Sequence, residues 1–454
     1  MLLLFVLAGC ASTKLKLQEW QKLPKAHYTI PPYARHLALY KIALDPGHGG
    51  NAHITGYKRG VTGKREAVMN LNVARLLKEF LELAGAEVFL TREDDSFVSL
   101  QDRADKAGAA GCDLLISLHH NAGRNPDANY GAVFYHLNPD YSPVAMDLAR
   151  NIYFGLVDAL RLPQVLDDGL LTDKIIYPAG FGLLRRASIP AILLESSFYS
   201  NRKEEKRLTD LRYNRREAYG IFLGLARWAS GGVPATKLKR PTGISVEKRP
   251  FIEYELRDGL TERSGRNLAQ QLIFANSVTA TIDGEKVPVV VSDDRMHIWF
   301  KPLFPLANGA HLVRVDLQNM FKNHNFPRVD TLIISAPTDS IDFQIATQYL
   351  PADTRALMPI SLAVFDADGE VVWDSTQIRL RANRGSIAPA LPELAGGRAT
   401  VYYKADAQMG LVYVTAVTES HADTLLLSLI PPGQIWLLSG AVIDDSTGTP
   451  IPGT

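Results

Sequence analysis

The chain has 454 residues, 46% of them hydrophobic and 21% charged, and its 49 lysines and arginines nearly balance 48 aspartates and glutamates. That composition belongs to globular proteins and excludes wholesale disorder or a collagen-like repeat. The net charge of +1 leaves no electrostatic footprint for nucleic acid. The two cysteines, Cys10 and Cys112, cannot build a disulfide framework, and no run reaches the roughly 18 apolar residues that span a bilayer.

The first nine residues are apolar and Cys10 follows at once. Leu7-Ala8-Gly9-Cys10 resembles the lipobox of a bacterial lipoprotein signal, with small residues before a thiol that accepts lipid. Residues 1–10 are therefore expected to be a signal, and Cys10 the point of membrane attachment on the outside of the cytoplasm. Residues 11–39, polar and carrying Pro24, Pro31 and Pro32, are expected to be a tether.

From residue 40 to about 230, short apolar runs alternate with helical periods. Strands are expected at 41–44, 87–90, 114–118, 132–135 and 191–194. Helices are expected at 66–83, with Val68, Leu71, Ala74, Leu77 and Leu81 on one face, and near 99–110, 142–161 and 203–229. Near-continuous apolar strands between helices predict an α/β domain, a mostly parallel sheet with helices on both faces. Cys112 is expected to be a small core hydrophobe, and His53 and His136 solvated loop residues. Gly231-Gly232-Val233-Pro234 opens an expected linker at 231–243. Beyond it the helical period fades. A hairpin around Asp283-Gly284 and strands at 311–315, 360–365, 371–373, 399–403 and 411–416 predict two β-sandwich domains, 244–337 and 338–433. Residues 434–454 read as the opening strands of a further β domain that stops before a core can close.

Three motifs in the α/β part carry chemistry. In Leu44-Asp45-Pro46-Gly47-His48-Gly49-Gly50, glycines let the backbone bend at a strand end and bring His48 into a cleft. Glu66 opens the first long helix, where a carboxylate also suits the helix dipole. Ile116-Ser117-Leu118-His119-His120-Asn121 ends a buried strand at the sheet edge where α/β proteins place ligands. Alternation sends His119 and His120 to opposite faces, so one of the two can join His48. Two histidines and a glutamate form a catalytic zinc set with an open position for water or substrate. Ile189 to Glu195 places a further carboxylate at the end of an apolar strand. Buried unpaired it would be costly, so Glu195 should face the site, where it can move a proton between water and a leaving amine.

In order along residues 40–229, LDPGHGG at 44–50, Glu66, LTR at 90–92 with Asp94 and Arg103, ISLHHNA at 116–122 and PAILLESSFYSN at 190–201 resemble the zinc-dependent N-acetylmuramoyl-L-alanine amidases of bacterial cell-wall turnover. The resemblance implies zinc ligands His48, Glu66 and His119, a catalytic Glu195, and peptidoglycan as partner. It implies hydrolysis, by a zinc-activated water, of the amide between N-acetylmuramic acid and L-alanine. It selects His119 over His120 as ligand. The chain departs from the family where His120 stands for a small residue and Ser196-Ser197 for a Thr-Gly-like pair. Arg92 and Arg103 are expected to be structural, paired with carboxylates near helix starts; Arg185 is expected to touch substrate or to form a surface salt bridge. The sandwich domains resemble bacterial immunoglobulin-like modules, the second of the invasin type. Two other readings of the chain are a catalytically silent wall-binding lipoprotein and a zinc peptidase acting within the stem peptide. Every candidate residue precedes Gly231, so residues 40–230 are expected to be a self-sufficient unit in the bacterial cell envelope.

Overall fold

The computed structural model describes residues 27–138, 141–166, 169–260 and 271–433. The lipobox with Cys10, most of the expected tether and the strands expected in 434–454 lie outside the described residues. Among the described residues no helix is long and apolar enough to cross a membrane.

The α/β unit is built on strands β1 (Lys41–Pro46), β2 (Glu87–Leu90), β3 (Leu114–Asn121), β4 (Ala132–Tyr135), β5 (Leu170–Thr172) and β6 (Ala191–Phe198). They form one sheet in the order β2-β1-β3-β6-β4-β5, in which only the β4–β6 pair is antiparallel. Side chains alternate between two cores. Ile42, Leu44, Ile116, Leu118, Ile192 and Leu194 pack with helices α1 (Glu66–Leu83), α3 (Ser142–Leu160) and α6 (Leu211–Ser230). Ala43, Leu115, Ala191 and Leu193 face the other way, against α2 (Leu100–Ala109) and α4 (Gly182–Arg186). Strands buried on both faces have no polar side to display, which is why they read as continuous apolar runs.

Local chemistry sets the ends. Ser99 caps α2 by accepting the N–H of Asp102, and Asp210 caps α6 through Arg212. The Asp210 cap also splits the single helix expected near 203–229, because it starts α6 anew after α5 (Arg202–Leu208). Val68 is not on the buried face of α1. It is 48% exposed, whereas Ala67, Met69, Asn70, Val73 and Leu77 are buried, because the covered stripe runs along 66, 70, 73, 77 and 81. Cys112 is buried in the smaller core, as its apolar surroundings predict.

Residues 235–334 form a five-stranded and a four-stranded sheet around Tyr254, Ile273, Ile298, Val313 and Ile334. The expected linker is part of this unit: Ala235–Arg240 is strand β7, paired antiparallel with residues 253–257. Residues 338–430 form two further four-stranded sheets around Ile360, Val364, Val401, Tyr403 and Val412. The strand expected at 371–373 is reduced to one bridge, Phe365 to Val371.

Candidate metal centre and its cleft

His48, Glu66 and His119 converge at the carboxyl edge of the sheet, with ligand atoms all within 4.8 Å of one another. Each arrives by a different local device. His48 follows β1 in a left-handed turn, with positive φ at His48 (61°), Gly49 (118°) and Gly50 (77°). Glu66 is the first residue of α1, its N–H bonded to the Lys58 carbonyl. His119 lies near the end of β3, in parallel register with Glu195 of β6. Register partners in a parallel pair share a face, so His119 and Glu195 point together into the cleft on the α2 and α4 side. The register shifts between His119 and Asn121, beyond the ligand position.

Glu66 is 1% exposed. Its Oε1 lies 3.0 Å from His119 Nδ1, and its Oε2 lies 3.0 Å from His48 Nε2 without accepting a hydrogen bond. Burial works to raise its pKa, but the two imidazoles outweigh burial and hold it far below the carboxylate range. Burial lowers His119, which favours the neutral imidazole that a metal needs. A buried carboxylate oxygen with no hydrogen bond, flanked by two imidazoles, is a donor set that fits a divalent ion.

Glu195 also turns inward. Its Oε2 is buried and accepts no hydrogen bond, and burial, with the Glu66 charge, pushes its pKa well above the usual range. It lines a cleft of about 530 Å³ with His48, His119, Lys58, Phe97 and Tyr177. Lys58 Nζ is 4.0 Å from Glu66 Oε2.

Beneath the cleft the two arginines hold the His48 turn. Arg103 donates to Asp45 Oδ1 (2.6 Å) and to the carbonyls of Pro46, His48 and Val98. Asp45 also accepts from Thr91 and Ser117. Arg92 donates to the carbonyls of Pro46, Gly47, Ala67 and Asp94. Arg92 therefore departs from the carboxylate pairing expected of it: turn residues leave unpaired carbonyls, and a planar guanidinium collects several at once. Arg185 donates to the Ala179 carbonyl, near the rim, in place of a surface salt bridge. His136 is no solvated loop residue; its Nδ1 meets the buried Asp173, which also accepts the Phe181 N–H at the cleft rim. His53 is exposed.

His120 occupies the opposite face of β3, between α1 and α6. Its ring nitrogens meet Asn70 Oδ1 at 2.8 Å and Glu217 Oε2 at 3.1 Å. The parity argument for the two histidines thus agrees with the geometry. Asn70, whose Nδ2 donates to Glu66 Oε1 at 3.3 Å, was not singled out by the sequence reading, although its position four residues after Glu66 on one helix was a signal. Nothing in the sequence singled out Lys58 or Tyr177.

Fold and cluster together define an α/β unit with three donor side chains at its sheet edge that could hold a metal ion. The profile of the family described as N-acetylmuramoyl-L-alanine amidase matches residues 42–227. AmiA of Salmonella typhimurium is 30% identical over 217 residues, covering 40% of this chain and 74% of that protein. AmiC of Escherichia coli is 29% identical over 227 residues, covering 42% of this chain and 53% of its own. A crystal structure of an N-acetylmuramoyl-L-alanine amidase from Clostridium difficile is 28% identical over 42% of this chain and 96% of its own, with a TM-score of 0.36. The chain belongs to the N-acetylmuramoyl-L-alanine amidase family. The chain spans 53–62% of the length of several curated relatives it matches, AmiC of Escherichia coli among them.

Proposed function

We propose that this protein is a zinc-dependent amidase that cleaves the bond between N-acetylmuramic acid and L-alanine in peptidoglycan, working in the cell envelope from a lipidated Cys10. The observation that carries the reading is the convergence of His48, Glu66 and His119 within 4.8 Å, with Glu195 beside them in register with His119. His48, Glu66 and His119 would hold the ion, in the His₂Glu pattern of catalytic zinc sites. Zinc bound there supplies Lewis acidity, polarising an amide carbonyl and making water a usable nucleophile near neutral pH.

The chain's own groups do the rest. Glu195 has a buried oxygen free of hydrogen bonds and a pKa held high by burial and by Glu66. Such a carboxyl group can take the proton of an attacking water and return it to the departing amine of L-alanine. Arg92 and Arg103 keep the His48 turn in place, so the ligands need little reorganisation on binding. The sandwich units, which follow the catalytic unit in the chain, are read as immunoglobulin-like spacer or adhesive modules, an analogy of fold.

Digestion of purified peptidoglycan tests the reading. Mass analysis should find intact stem peptides with a free L-alanine amine and glycan strands with bare lactyl carboxylates. Shortened peptides would mark a peptidase instead, and no released fragment a silent scaffold. Glu195→Gln should lower turnover by about 10²–10⁴-fold, the usual contribution of general acid–base catalysis, while retaining zinc. A zinc-loaded Glu195→Gln protein of normal activity would remove Glu195 from the mechanism.

A further inference from the structure

Behind the His48–Glu66–His119 cluster lies a buried polar pair that the proposed chemistry does not use. His120 on β3 and Glu217 on α6 are both buried, and the His120 ring bridges Glu217 and Asn70. A buried polar pair needs a strong reason to remain, because replacing such a pair with apolar residues is often neutral or stabilising.

The hydrogen bonds supply one. The Asn70 amide is fixed from its other end: Nδ2 faces Glu66 Oε1 at 3.3 Å and the Gly47 carbonyl at 3.2 Å, both acceptors, so Oδ1 turns to His120. The His120 ring, held on its far side by Glu217, keeps it there. A flipped amide would set its oxygen against both of those acceptors. The backbone N–H of His120 adds a contact to Glu66 Oε1 at 3.3 Å. Oε1 is thereby occupied by donors, and Oε2, which accepts no hydrogen bond, is left facing His48.

We propose that His120, held by Glu217, is a positioning residue that acts through Asn70 to orient the Glu66 carboxylate for metal binding and to hold the His48 turn at Gly47. The chain runs from α6 through β3 to α1 and so couples three elements to one ligand oxygen. Partners of this kind, one step removed from the ion, typically change metal affinity 10–100-fold. The inference rests on the reading that His48, Glu66 and His119 bind a divalent ion.

The test is a competitive chelator titration of Zn²⁺ on the full chain and on variants of confirmed fold. His120→Ala should bind zinc about 10–100-fold more weakly than wild type. The same substitution in an Asn70→Ala background should add little, because both remove one linkage. Glu217→Gln keeps the volume and should weaken zinc in the same direction; it serves as the decisive variant where His120→Ala does not fold. Asp366→Asn, which alters a buried carboxylate bonded to Lys248 and Asn308 in the sandwich units, is the control and should leave affinity unchanged. Wild-type affinity in Glu217→Gln or in folded His120→Ala, or full additivity with Asn70→Ala, would overturn the proposal. A wild-type chain that binds no zinc would sink the metal reading itself, an outcome separate from equal binding by wild type and variants.

Discussion

A side chain at residue 47 would occupy the space of the His119 ring: an ideal Cβ there falls 2.1 Å from His119 Cε1 and 2.2 Å from Nε2. Gly47 is needed for room, and Gly49, two residues further on, for its positive φ as well. The two glycines that flank His48 thus do different work, one admitting a second imidazole and the other turning the chain. Gly47→Ala should push the His119 ring off its position while leaving the strands intact. Zinc content measured on purified protein should fall far below one per chain, with unchanged far-ultraviolet circular dichroism. A fully loaded Gly47→Ala protein would mean that the turn yields easily and that the close approach is incidental.

At the scale of elements, the ends of β1, β2 and β3 are tied by one buried carboxylate. Asp45 on β1 accepts from Thr91 after β2, Ser117 on β3 and Arg103 on α2. Burial acts to raise its pKa, and Arg103 with the two hydroxyls outweighs burial and lowers it. In the unfolded chain the group titrates near the ordinary aspartate value of about 3.9. The unfolded state therefore binds the proton more readily, so the contribution of Asp45 is present above about pH 4 and is lost as pH falls through the lower, folded value. Asp45→Asn leaves Arg103 buried without its anion, which typically costs about 3–5 kcal/mol at neutral pH. The gap from wild type in urea unfolding should be large at pH 7 and should narrow at pH 3. A gap that stays constant would show that Asp45 is not a source of acid sensitivity.

These elements also show what the sequence could tell. The strand runs, α1 and the parity of His119 and His120 were legible, because burial on both faces and the period of two leave direct marks on residue order. Glu66 and Glu195 were legible as carboxylates at element ends. The Asp45 hub, the Asn70 bridge and the His136–Asp173 pair were not, since each joins residues 37 to 72 positions apart through geometry that no local spacing encodes. Arg92 misled for a related reason: its charge suggested a carboxylate, whereas its partners are carbonyls, which every residue carries. The exposure of Val68 followed from a small error of phase, since one step along a helix is a rotation of about 100°.

Across the whole molecule, the expectation of a self-sufficient unit ending near residue 230 meets a set of contacts made by residues 319–326 of the first sandwich. Asn323 Nδ2 donates to the carbonyls of Trp228 and Gly232, and Asn319 Nδ2 to those of Gly231, Gly232 and Asp258. Those of Trp228, Gly231 and Gly232 lie at and just beyond the end of α6, where the helix leaves carbonyls short of partners. Asp147 of α3 accepts from the backbone and ring of His324, and Phe326 packs on Tyr40, itself 4.9 Å from the Trp228 ring. A second joint follows at Asp366, which accepts from Lys248 and Asn308 of the first sandwich. Among the described residues the cleft is lined by positions 45–195, and the first sandwich bears on the site through the stability of α6 and α3. A chain cut after Ser230 keeps every candidate ligand yet loses the Asn323 bond to the Trp228 carbonyl, the His324 bonds to Asp147 and the Phe326 ring on Tyr40. Each hydrogen bond so lost costs about 0.5–1.5 kcal/mol, and about 1 kcal/mol lowers the midpoint of a domain this size by roughly 2–4 °C. The truncated chain should therefore bind zinc but melt many degrees below the full chain. Asn323→Ala in the full chain should reproduce a part of that loss at the melting transition of the α/β unit. A truncated chain that melts at the full-length temperature would mean that the first sandwich rests against the α/β unit without supporting it.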